Sequence, residues 1–374
     1  MTGSVPRFGL LAGVLTLTIL TWNRTAEAAP PNEHESEVRT LVENEIDISG
    51  PGVAVLVSRN GTPIHLAGYG LANIKARLPI TPDSLFDLAS VSKHMTGVAI
   101  LTLVEQRKLK IDEPVAHYLK DFAVPQKGRP VKVADLLYHV SGLADYTGDE
   151  WDGSDEEFAS LTTEAHLKWL NGTAPRRAPG VKYQYNNSEY ALLALIVERL
   201  SKQTFACYVH DHLFAPAGMK HTVVLDGTAK LPSSAVVGYE TNDDGKVSLS
   251  SSPTVITGDG SVYTSVRDLA LWDKALRDHI ILNKQSQELA WSGGRYDNSK
   301  PIRDEDGDGY GVGWVIENKR HLVSHSGSWS GTATYLLLDL ERGYTVAVLS
   351  NDEKTEVGHL AEKILTLFSK DKDR

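Results

Sequence analysis

Strand-like patterns of apolar residues lie near both ends of the chain. Residues 53–57 and 63–69 are two such runs, and Asn60-Gly61 lies between them. Asn-Gly between apolar runs is a strong signal for a two-residue β-hairpin. Near the other end, segments rich in β-branched and aromatic residues predict strands at 313–318, 321–324, 332–340 and 344–350.

Helical patterns fill the middle of the chain. The stretch 91–104 is apolar on nearly all sides, which is typical of a central, buried helix. Apolar residues at helical spacing predict further helices near the end of 30–47, at 190–200, at 265–276 and at the end of the chain. Ser265 and Asp268 form a variant of the capping box at the start of one of them.

Strands at both ends with helices between them predict an α/β protein of the α+β type. We expect one antiparallel sheet built from both chain ends, flanked by helices, with an inserted and mostly helical subdomain. The sheet subdomain is placed at about 29–115 and 305–374 and the helical one at about 116–304, all within a single catalytic domain, 29–374. A cleft between the two parts is a natural place for a substrate.

Charge narrows the possible partners. The chain has 48 acidic and 38 basic residues and a net charge of −10, which argues against a nucleic-acid partner. It has no basic run of the kind that binds anionic membranes. We expect a small-molecule or peptide substrate instead.

The first 28 residues are predicted to be a signal peptide. Arg7 precedes an apolar run, 10–22, and Ala26-Glu27-Ala28 has the small-x-small form of a cleavage site. The run is shorter than the ~20 residues of an ordinary spanning helix. We therefore expect an exported protein, periplasmic or extracellular, without a stable membrane span; an uncleaved anchor is the alternative.

Cys207 is the only cysteine, so an intramolecular disulfide is excluded. A single cysteine among apolar residues is predicted to be a small buried side chain rather than a nucleophile.

Ser90 and Lys93 form an S-x-x-K pattern at the start of the predicted buried helix. At about 3.6 residues per turn, both side chains lie on one face. Burial would lower the pKa of the lysine towards that of a usable base. The free N–H groups at a helix N-terminus can also stabilise an oxyanion.

Two further patterns accompany this one. Tyr185 and Asn187 form Y-x-N just before a predicted helix, where a tyrosine near a lysine can transfer protons and an amide can hold a substrate carbonyl. His325-Ser326-Gly327 is expected between two predicted strands, and Ser328 follows it. Its backbone N–H is a candidate second oxyanion donor. An ordinary loop tyrosine and a hairpin histidine without a role are the alternatives.

In this order and spacing, the three patterns resemble those of the serine β-lactamase and penicillin-binding protein family. Y-x-N as the middle element is similar to the class C β-lactamase branch. The resemblance covers roughly 50–352, and other segments that carry it are LFDLASVSK at 85–93, LKIDEP at 109–114, LLYHVSGL at 136–143, Pro-Gly at 179–180, PAGM at 216–219 and GYGVGW at 309–314.

The resemblance implies a serine hydrolase that works through an acyl-enzyme without a cofactor or metal. Ser90 would be the nucleophile, and Lys93 and Tyr185 would share proton transfer, in an order left open. Asn187, His325, Gly327 and Ser328 would contact the substrate, with the N–H groups of Ser90 and Ser328 as the oxyanion hole. His139 and Ser141 are expected to be scaffold residues.

The third pattern departs from the family's usual K-T-G, which occurs nowhere in this chain. Lysine is a permanent cation, whereas a histidine with its ordinary pKa of about 6.5 is only partly charged at neutral pH. Binding of an anionic β-lactam or terminal carboxylate should weaken. An esterase or D-amino-acid peptidase is therefore favoured over a true β-lactamase.

Three smaller features leave alternatives open. His210-Asp211-His212 falls in a predicted helix, where alternate residues point apart, so packing is favoured over a metal site. The loop 304–309 starts like a calcium loop but has Val315 at the twelfth position, where Glu is needed; a polar turn is favoured, with weak calcium binding open. Trp329 either lines the cleft or packs.

The alternative to a hydrolase is a catalytically silent member of the same fold that binds peptidoglycan fragments or supports assembly. The joint presence of Ser90, Lys93, Tyr185 and Asn187 argues against it. The chain offers no credible ligand set for a metal hydrolase.

Overall fold

Strands from both ends of the chain form one antiparallel sheet in the computed structural model, which describes residues 1, 3, 32–228, 230–251 and 255–370. Apart from residues 1 and 3, the predicted signal peptide lies outside these residues. The strands are β1 (Val53–Arg59), β2 (Thr62–Tyr69), β3 (Leu71–Asn73), β4 (Leu78–Pro79), β5 (Phe86–Asp87), β6 (Val223–Val224), β7 (Tyr239–Thr241), β8 (Val247–Leu249), β9 (Val262–Thr264), β10 (Gly309–Tyr310), β11 (Val315–Glu317), β12 (Leu322–Trp329), β13 (Thr332–Asp339) and β14 (Tyr344–Ser350).

Helices occur at each position where apolar spacing predicted one, with further helices between them. They are α1 (Glu35–Glu45), α2 (Lys93–Glu105), α3 (Val115–Tyr118), α4 (Val133–Leu137), α5 (Asp155–Ala159), α6 (Thr163–Gly172), α7 (Asn187–Ser201), α8 (Phe205–Val209), α9 (Ala215–Ala217), α10 (Val266–Arg277), α11 (Lys284–Ala290) and α12 (Val357–Lys370). A 3₁₀ turn, Ala89–Ser92, leads into α2, and a π-helical turn, His210–Phe214, joins α8 to α9.

The largest sheet in the described chain has the strand order β10-β11-β12-β13-β14-β1-β2. All its neighbouring strands are antiparallel. The two chain ends meet where β1 pairs with β14, from Val53 opposite Ser350 to Arg59 opposite Tyr344. The predicted α/β fold, with an antiparallel sheet made from both ends, is confirmed.

The hairpin between β1 and β2 turns at the predicted residues. Asn60 has φ 50° and Gly61 has φ 76°. Positive φ at both central positions defines the turn that matches the twist of a hairpin, and Asn-Gly adopts it at low cost. The Asn60 N–H also donates to the Gly343 carbonyl oxygen at 2.7 Å, which links this turn to the β13–β14 turn.

Helices cover both faces of the sheet because β1 buries alternate side chains on opposite sides. Val53, Val55 and Val57 pack in the cluster that contains α1 and α12. Ala54 and Leu56 pack in the larger core that contains α2. All five are fully buried, and a slip of one residue would exchange the two sets, so this burial fixes the register.

Helix α2 lies in the centre of the larger core, where all its residues from Lys93 to Leu103 are buried. The predicted buried helix is present, although its first residues form the 3₁₀ turn. A Cβ atom at Gly97 would lie 2.4 Å from Cγ1 of Val312. Glycine there allows the loop after β10 to pack directly on α2.

The segment between the two sheet-forming ends combines helices with three small sheets, β3-β4, β5-β9-β6 and β7-β8. Pairing of β5 with β9 sets Asp87 opposite Tyr263 and ties the residues before Ser90 to the middle of the chain. Helix α10 contacts β1, β2 and β14, so part of this segment also covers the sheet. None of the helices in the described ranges is long and apolar enough to cross a membrane.

Of the predicted capping box at the start of α10, only the hydrogen bond to the serine side chain is present. Oγ of Ser265 accepts a hydrogen bond from the Asp268 N–H at 3.1 Å. The Asp268 carboxylate turns away and accepts from the His221 N–H and the Thr222 hydroxyl. It therefore joins α10 to the segment before β6.

Two sequence-based expectations about the placement of residues were wrong. His325-Ser326-Gly327 lies inside β12, paired with β13, rather than between strands. Gly327 therefore forms no turn; it allows β12 to lie close to the turn that carries Ser90. Cys207 is exposed rather than buried. Helix α8 buries Phe205, Tyr208 and Val209, which leaves Cys207 on its outer side.

Candidate active site

Ser90 lies in the 3₁₀ turn before α2, on the wall of a cavity of about 420 Å³. The preceding residue, Ala89, has φ 46°, a conformation that costs a non-glycine residue roughly 1–2 kcal/mol. The Ala89 N–H donates to Oδ1 of Asp87 at 2.8 Å, which helps to hold this turn. The sharp turn presents the Ser90 side chain to the cavity.

Lys93 is fully buried beneath Ser90. Its Nζ donates to Oγ of Ser90 at 3.0 Å, to Oδ1 of Asn187 at 2.7 Å and to the Asp259 carbonyl oxygen at 2.9 Å. Burial lowers the pKa of Lys93 to about 8, although the nearby carboxylates of Asp259 and Asp145 oppose the shift. The predicted contact between Lys93 and Ser90 is therefore present.

Tyr185 is brought to the same place from the loop before α7. Nζ of Lys93 lies 4.8 Å from the centre of its ring. Its hydroxyl is buried and has no hydrogen-bond partner among the described residues. Burial raises the pKa of Tyr185 well above 10, and the nearby Ser90 hydroxyl opposes that rise. In this state Tyr185 is a neutral phenol.

Asn187, the first residue of α7, is held at both ends of its side-chain amide. Oδ1 accepts from Lys93, and Nδ2 donates to Oγ1 of Thr147 at 2.8 Å. Its backbone N–H donates to Oδ2 of Asp145 at 3.2 Å. The amide orientation is thus fixed, with the side chain at the cavity wall.

His325 is 4% exposed and bonded on both ring nitrogens. Nε2 lies 3.0 Å from the Tyr310 hydroxyl and Nδ1 lies 2.6 Å from the Ser326 carbonyl oxygen. Burial, reinforced by Lys93, lowers the pKa of His325 to about 3. The imidazole is therefore neutral at physiological pH, and not partly charged as expected from the sequence.

Gly327 brings β12 against the turn that carries Ser90. A Cβ atom there would lie 2.3 Å from the Leu88 carbonyl oxygen, 2.4 Å from Oγ1 of Thr334 and 3.1 Å from the Ser90 backbone nitrogen. Only glycine fits this approach. The next residue, Ser328, is exposed in the cavity, so the predicted members of all three patterns converge.

Two acidic residues beside the site were missed from sequence. The Asp259 carboxylate accepts from the Tyr146 hydroxyl at 2.7 Å, while its carbonyl oxygen accepts from Lys93. Asp145 accepts from the Asn187 N–H. The sequence signal that could have indicated Asp259 is the run Gly258-Asp259-Gly260-Ser261, since closely spaced glycines predict a tight loop. In the structure φ is 102° at Gly258 and 68° at Ser261, as is common at functional sites.

Aromatic side chains make up much of the cavity wall. Those that line it are Tyr146, Tyr183, Tyr185, Tyr310 and Trp329. Asp87 and Asp259 also line the cavity, and none of the described lining residues is a lysine or an arginine. Trp329 does both things considered from sequence: it lines the cavity and stacks on Phe158 at a centroid distance of 6.1 Å.

The two motifs set aside from sequence lie elsewhere. His210 and Asp211 are exposed and hydrogen-bonded to each other, while His212 packs against the Tyr208 ring at 4.3 Å. The Asp304 carboxylate accepts from the N–H groups of Asp306 and Asp308, which makes the acidic loop a polar turn. Across the described chain, no group of three or more His, Cys, Asp or Glu side chains is placed to hold a metal ion.

Comparison with known proteins agrees with this geometry. The sequence profile described as Beta-lactamase matches residues 38–368. Penicillin-binding protein 4* of Bacillus subtilis (strain 168) is 31% identical over 316 residues, which are 80% of this chain and 68% of that protein. Protein flp of Staphylococcus aureus (strain MW2) is 28% identical over 343 residues, 90% of this chain; the chain spans 66% of that protein's length.

Solved structures show the same fold. The octameric penicillin-binding protein homologue from Pyrococcus abyssi has a TM-score of 0.76 at 27% identity, over 89% of this chain and 76% of that one. D-amino acid amidase from Ochrobactrum anthropi SV3 also has a TM-score of 0.76, at 20% identity, over 90% of this chain and 99% of that one. The chain belongs to the beta-lactamase family of serine hydrolases, which has the β-lactamase/transpeptidase fold.

Proposed function

We propose that this protein is an exported hydrolase that cleaves esters or amides through an acyl intermediate on Ser90. The observation that carries the proposal is the contact between Nζ of Lys93 and Oγ of Ser90 at 3.0 Å, made by a buried lysine whose pKa is lowered to about 8. A lysine with this pKa is close enough to neutrality to accept a proton from serine.

In this mechanism Lys93 is the base in acylation. Neutral Lys93 keeps its two N–H bonds to Asn187 Oδ1 and the Asp259 carbonyl oxygen, and its lone pair then faces the Ser90 hydroxyl. Ser90 Oγ attacks the substrate carbonyl as its proton moves to Lys93. The N–H groups of Ser90 and Ser328 stabilise the resulting oxyanion.

Tyr185 is the proton donor to the leaving group. Its raised pKa keeps the hydroxyl protonated, and that hydroxyl is free of other partners within the described structure. As the carbonyl–leaving-group bond breaks, the tyrosine proton passes to the departing oxygen or nitrogen, and Lys93 returns its proton to Tyr185. Water then attacks the acyl-Ser90 ester, and the proton transfers run in reverse. Water gives a proton to Tyr185, Tyr185 passes its own proton to Lys93, and Lys93 gives a proton to the departing Ser90 Oγ.

The preferred substrates lack a carboxylate next to the acyl group. Neutral His325 replaces the cation of the usual third motif, and the cavity is lined by two acidic residues, Asp87 and Asp259, and by no lysine or arginine among the described residues. We place an esterase or D-amino-acid amidase or peptidase ahead of a β-lactamase. The D-amino acid amidase of similar fold is compatible with an amide substrate. Assignment to the class C branch remains a prediction from Y-x-N.

The export proposal rests on the apolar run 10–22 and the Ala26-Glu27-Ala28 site. Export with cleavage after Ala28 would place the enzyme in the periplasm or outside the cell. N-terminal sequencing of the protein from a fractionated bacterial host tests this: Ala29 as the first residue in the exported fraction supports it, and an intact N-terminus in the cytosol contradicts it.

Intact-protein mass tests the acyl-enzyme directly. The protein is incubated with a fluorophosphonate, with nitrophenyl esters of several acyl groups and with a penicillin. We expect one adduct, on Ser90, that is lost in Ser90→Ala and kept in Ser326→Ala, a matched serine exposed in the same cavity. Faster labelling by esters than by penicillin would support the substrate preference.

Absence of an adduct with every reagent, on protein shown to be folded, would contradict the proposal. It would favour the silent module that binds peptidoglycan fragments or supports assembly.

A further inference from the structure

Two buried side chains without a role in this mechanism form a pair next to the segment that carries Tyr185. Nδ1 of His139 is 2.5 Å from Oε2 of Glu189, and the two side chains are 0% and 1% exposed. His139 lies just after α4, whereas Glu189 is in the first turn of α7, two residues after Asn187. Their contact therefore joins two separate elements at the base of the site.

The imidazole of His139 packs against the ring of Tyr185, and His139 also bonds to the residues on either side of Tyr185. The two ring centroids are 4.5 Å apart. The His139 carbonyl oxygen accepts from the Gln184 N–H at 2.8 Å, and the Asn186 N–H faces Nδ1 of His139 at 3.3 Å. The segment that carries the phenol is thus fixed on either side of Tyr185 as well as across its ring.

His139 adopts this position against its backbone preference. Its φ is 55°, and such a conformation persists in a non-glycine residue only when the surroundings enforce it. Glu189 contributes to that enforcement, because Oε1 accepts from the Ser141 N–H at 3.1 Å while Oε2 holds the imidazole. One carboxyl group therefore ties down both the ring and the following turn.

Two neutral partners fit the surroundings of this pair. The Asn186 N–H faces Nδ1 of His139 at 3.3 Å, which favours an acceptor at Nδ1 and a carboxylic acid at Glu189 as its donor. Burial raises the pKa of Glu189 well above its usual value and lowers that of His139 well below, which agrees with two neutral partners. A carboxylate here would make Tyr185 a weaker proton donor.

We propose that His139 and Glu189 are positioning residues: their hydrogen bond fixes the imidazole against which Tyr185 packs, and so holds the phenol hydroxyl where it can protonate the leaving group. The inference rests on the proposed function, in which Tyr185 is that proton donor. It extends the site to His139, which was expected to be a scaffold residue, and to Glu189, which the sequence did not single out.

Leaving groups of different basicity distinguish positioning of an acid from general support of the fold. A nitrophenolate departs with little help, whereas an anilide nitrogen must be protonated. We compare kcat and KM for a nitrophenyl ester and a nitroanilide of the same acyl group in the wild type, Tyr185→Phe, His139→Leu, Glu189→Leu and Glu189→Gln.

For His139→Leu and Glu189→Leu we expect kcat on the anilide to fall about 100-fold, the loss that a displacement of about 1 Å can cause. We expect KM to change less than about 3-fold and the ester to lose about tenfold less than the anilide, as in Tyr185→Phe. Glu189→Gln should keep kcat within about 3-fold, because its amide can donate to Nδ1 of His139 and accept from Ser141 as the neutral acid does.

His65→Leu is the matched control, since His65 is also fully buried and its Nε2 lies 3.2 Å from a tyrosine hydroxyl, that of Tyr69 on β2. It should lower the melting temperature yet leave the anilide-to-ester ratio of kcat unchanged.

Three results would overturn the positioning role: equal losses on both substrates, a change in KM alone, or the same loss in Glu189→Gln as in Glu189→Leu. The proposed function would survive those results, because the wild type would still label at Ser90; an unlabelled and inactive wild type would overturn both.

Discussion

The Tyr310 hydroxyl lies 3.0 Å from Nε2 of His325. Since Nδ1 of the same ring faces the Ser326 carbonyl oxygen at 2.6 Å, Nδ1 carries the proton and Nε2 accepts from Tyr310. Both nitrogens are thereby occupied in a buried, uncharged imidazole. The third motif consequently offers a substrate neither a cation nor a free donor from this side chain.

Restoring a cation at this position should change which acyl donors are preferred. In His325→Lys, we expect kcat/KM for an ester with a carboxylate on its acyl group to rise at least about tenfold relative to its neutral analogue, an effect of about 1.4 kcal/mol. His325→Gln, which is neutral and can still bond to Tyr310, should leave that ratio unchanged. Equal ratios in both variants would show that charge at residue 325 does not control selectivity.

The rate of acylation should rise with pH. The pKa of Lys93 is lowered to about 8, so the neutral, proton-accepting form grows as pH increases through that value. We expect the rate constant for labelling of Ser90 by a fluorophosphonate to increase from pH 6 and level off above about 9. His325 and His139, both with lowered pKa values, should add no step in this range.

Lys93→Arg supplies the control for that profile. Arginine stays charged, so this variant should label at least about 100-fold more slowly without an inflection near pH 8. A wild-type rate independent of pH between 6 and 9 would contradict Lys93 as the base.

Phe158 should limit the size of the acyl group. Its ring stacks on Trp329 at 6.1 Å and on Tyr146 at 5.5 Å, and both of those rings line the cavity. Phe158→Ala breaks this stack, so kcat/KM for a long-chain nitrophenyl ester should rise relative to the acetate ester by about 3-fold or more. Phe368→Ala, in the cluster on the other face of the sheet, is the control and should leave this ratio unaltered. If the ratio is also unaltered in Phe158→Ala, Phe158 does not limit the size of the acyl group.

Gly327→Ala should impair both stability and activity. The added methyl group would meet the Leu88 carbonyl oxygen and Oγ1 of Thr334 at 2.3 and 2.4 Å, and relief requires β12 to move away from the Ser90 turn. We expect a loss of about 1–3 kcal/mol in unfolding free energy and slow labelling of Ser90.

Gly172→Ala is the matched control, because a methyl group at this position, at the end of α6, would meet no described atom within 4 Å beyond its chain neighbours and the backbone of its own helix. Alanine favours a helix by up to about 1 kcal/mol, so this variant should be as stable as the wild type or more so. Chemical denaturation of the two variants checks the pair; equal stabilities would contradict the steric argument for Gly327.

Local pattern was enough to identify the main helices and strands and the catalytic motif at the start of α2, whereas the short strands β3 to β9 were not predicted. The Asn60-Gly61 turn and the alternation in β1 depend on backbone preferences and side-chain period, which neighbouring residues determine. The spacing of Ser90 and Lys93 at the start of an apolar helix likewise placed both side chains on one face. Such features need no knowledge of distant contacts.

The tertiary structure alone decided the charge states and partners within the site. Lys93 bonds to Asp259, 166 positions away in sequence, and His325 is neutral because it is buried beside Tyr310 and Lys93. His139 and Glu189 form a pair only because α4 and α7 pack together. Desolvation and long-range hydrogen bonds set these properties, and both depend on which elements the fold brings into contact.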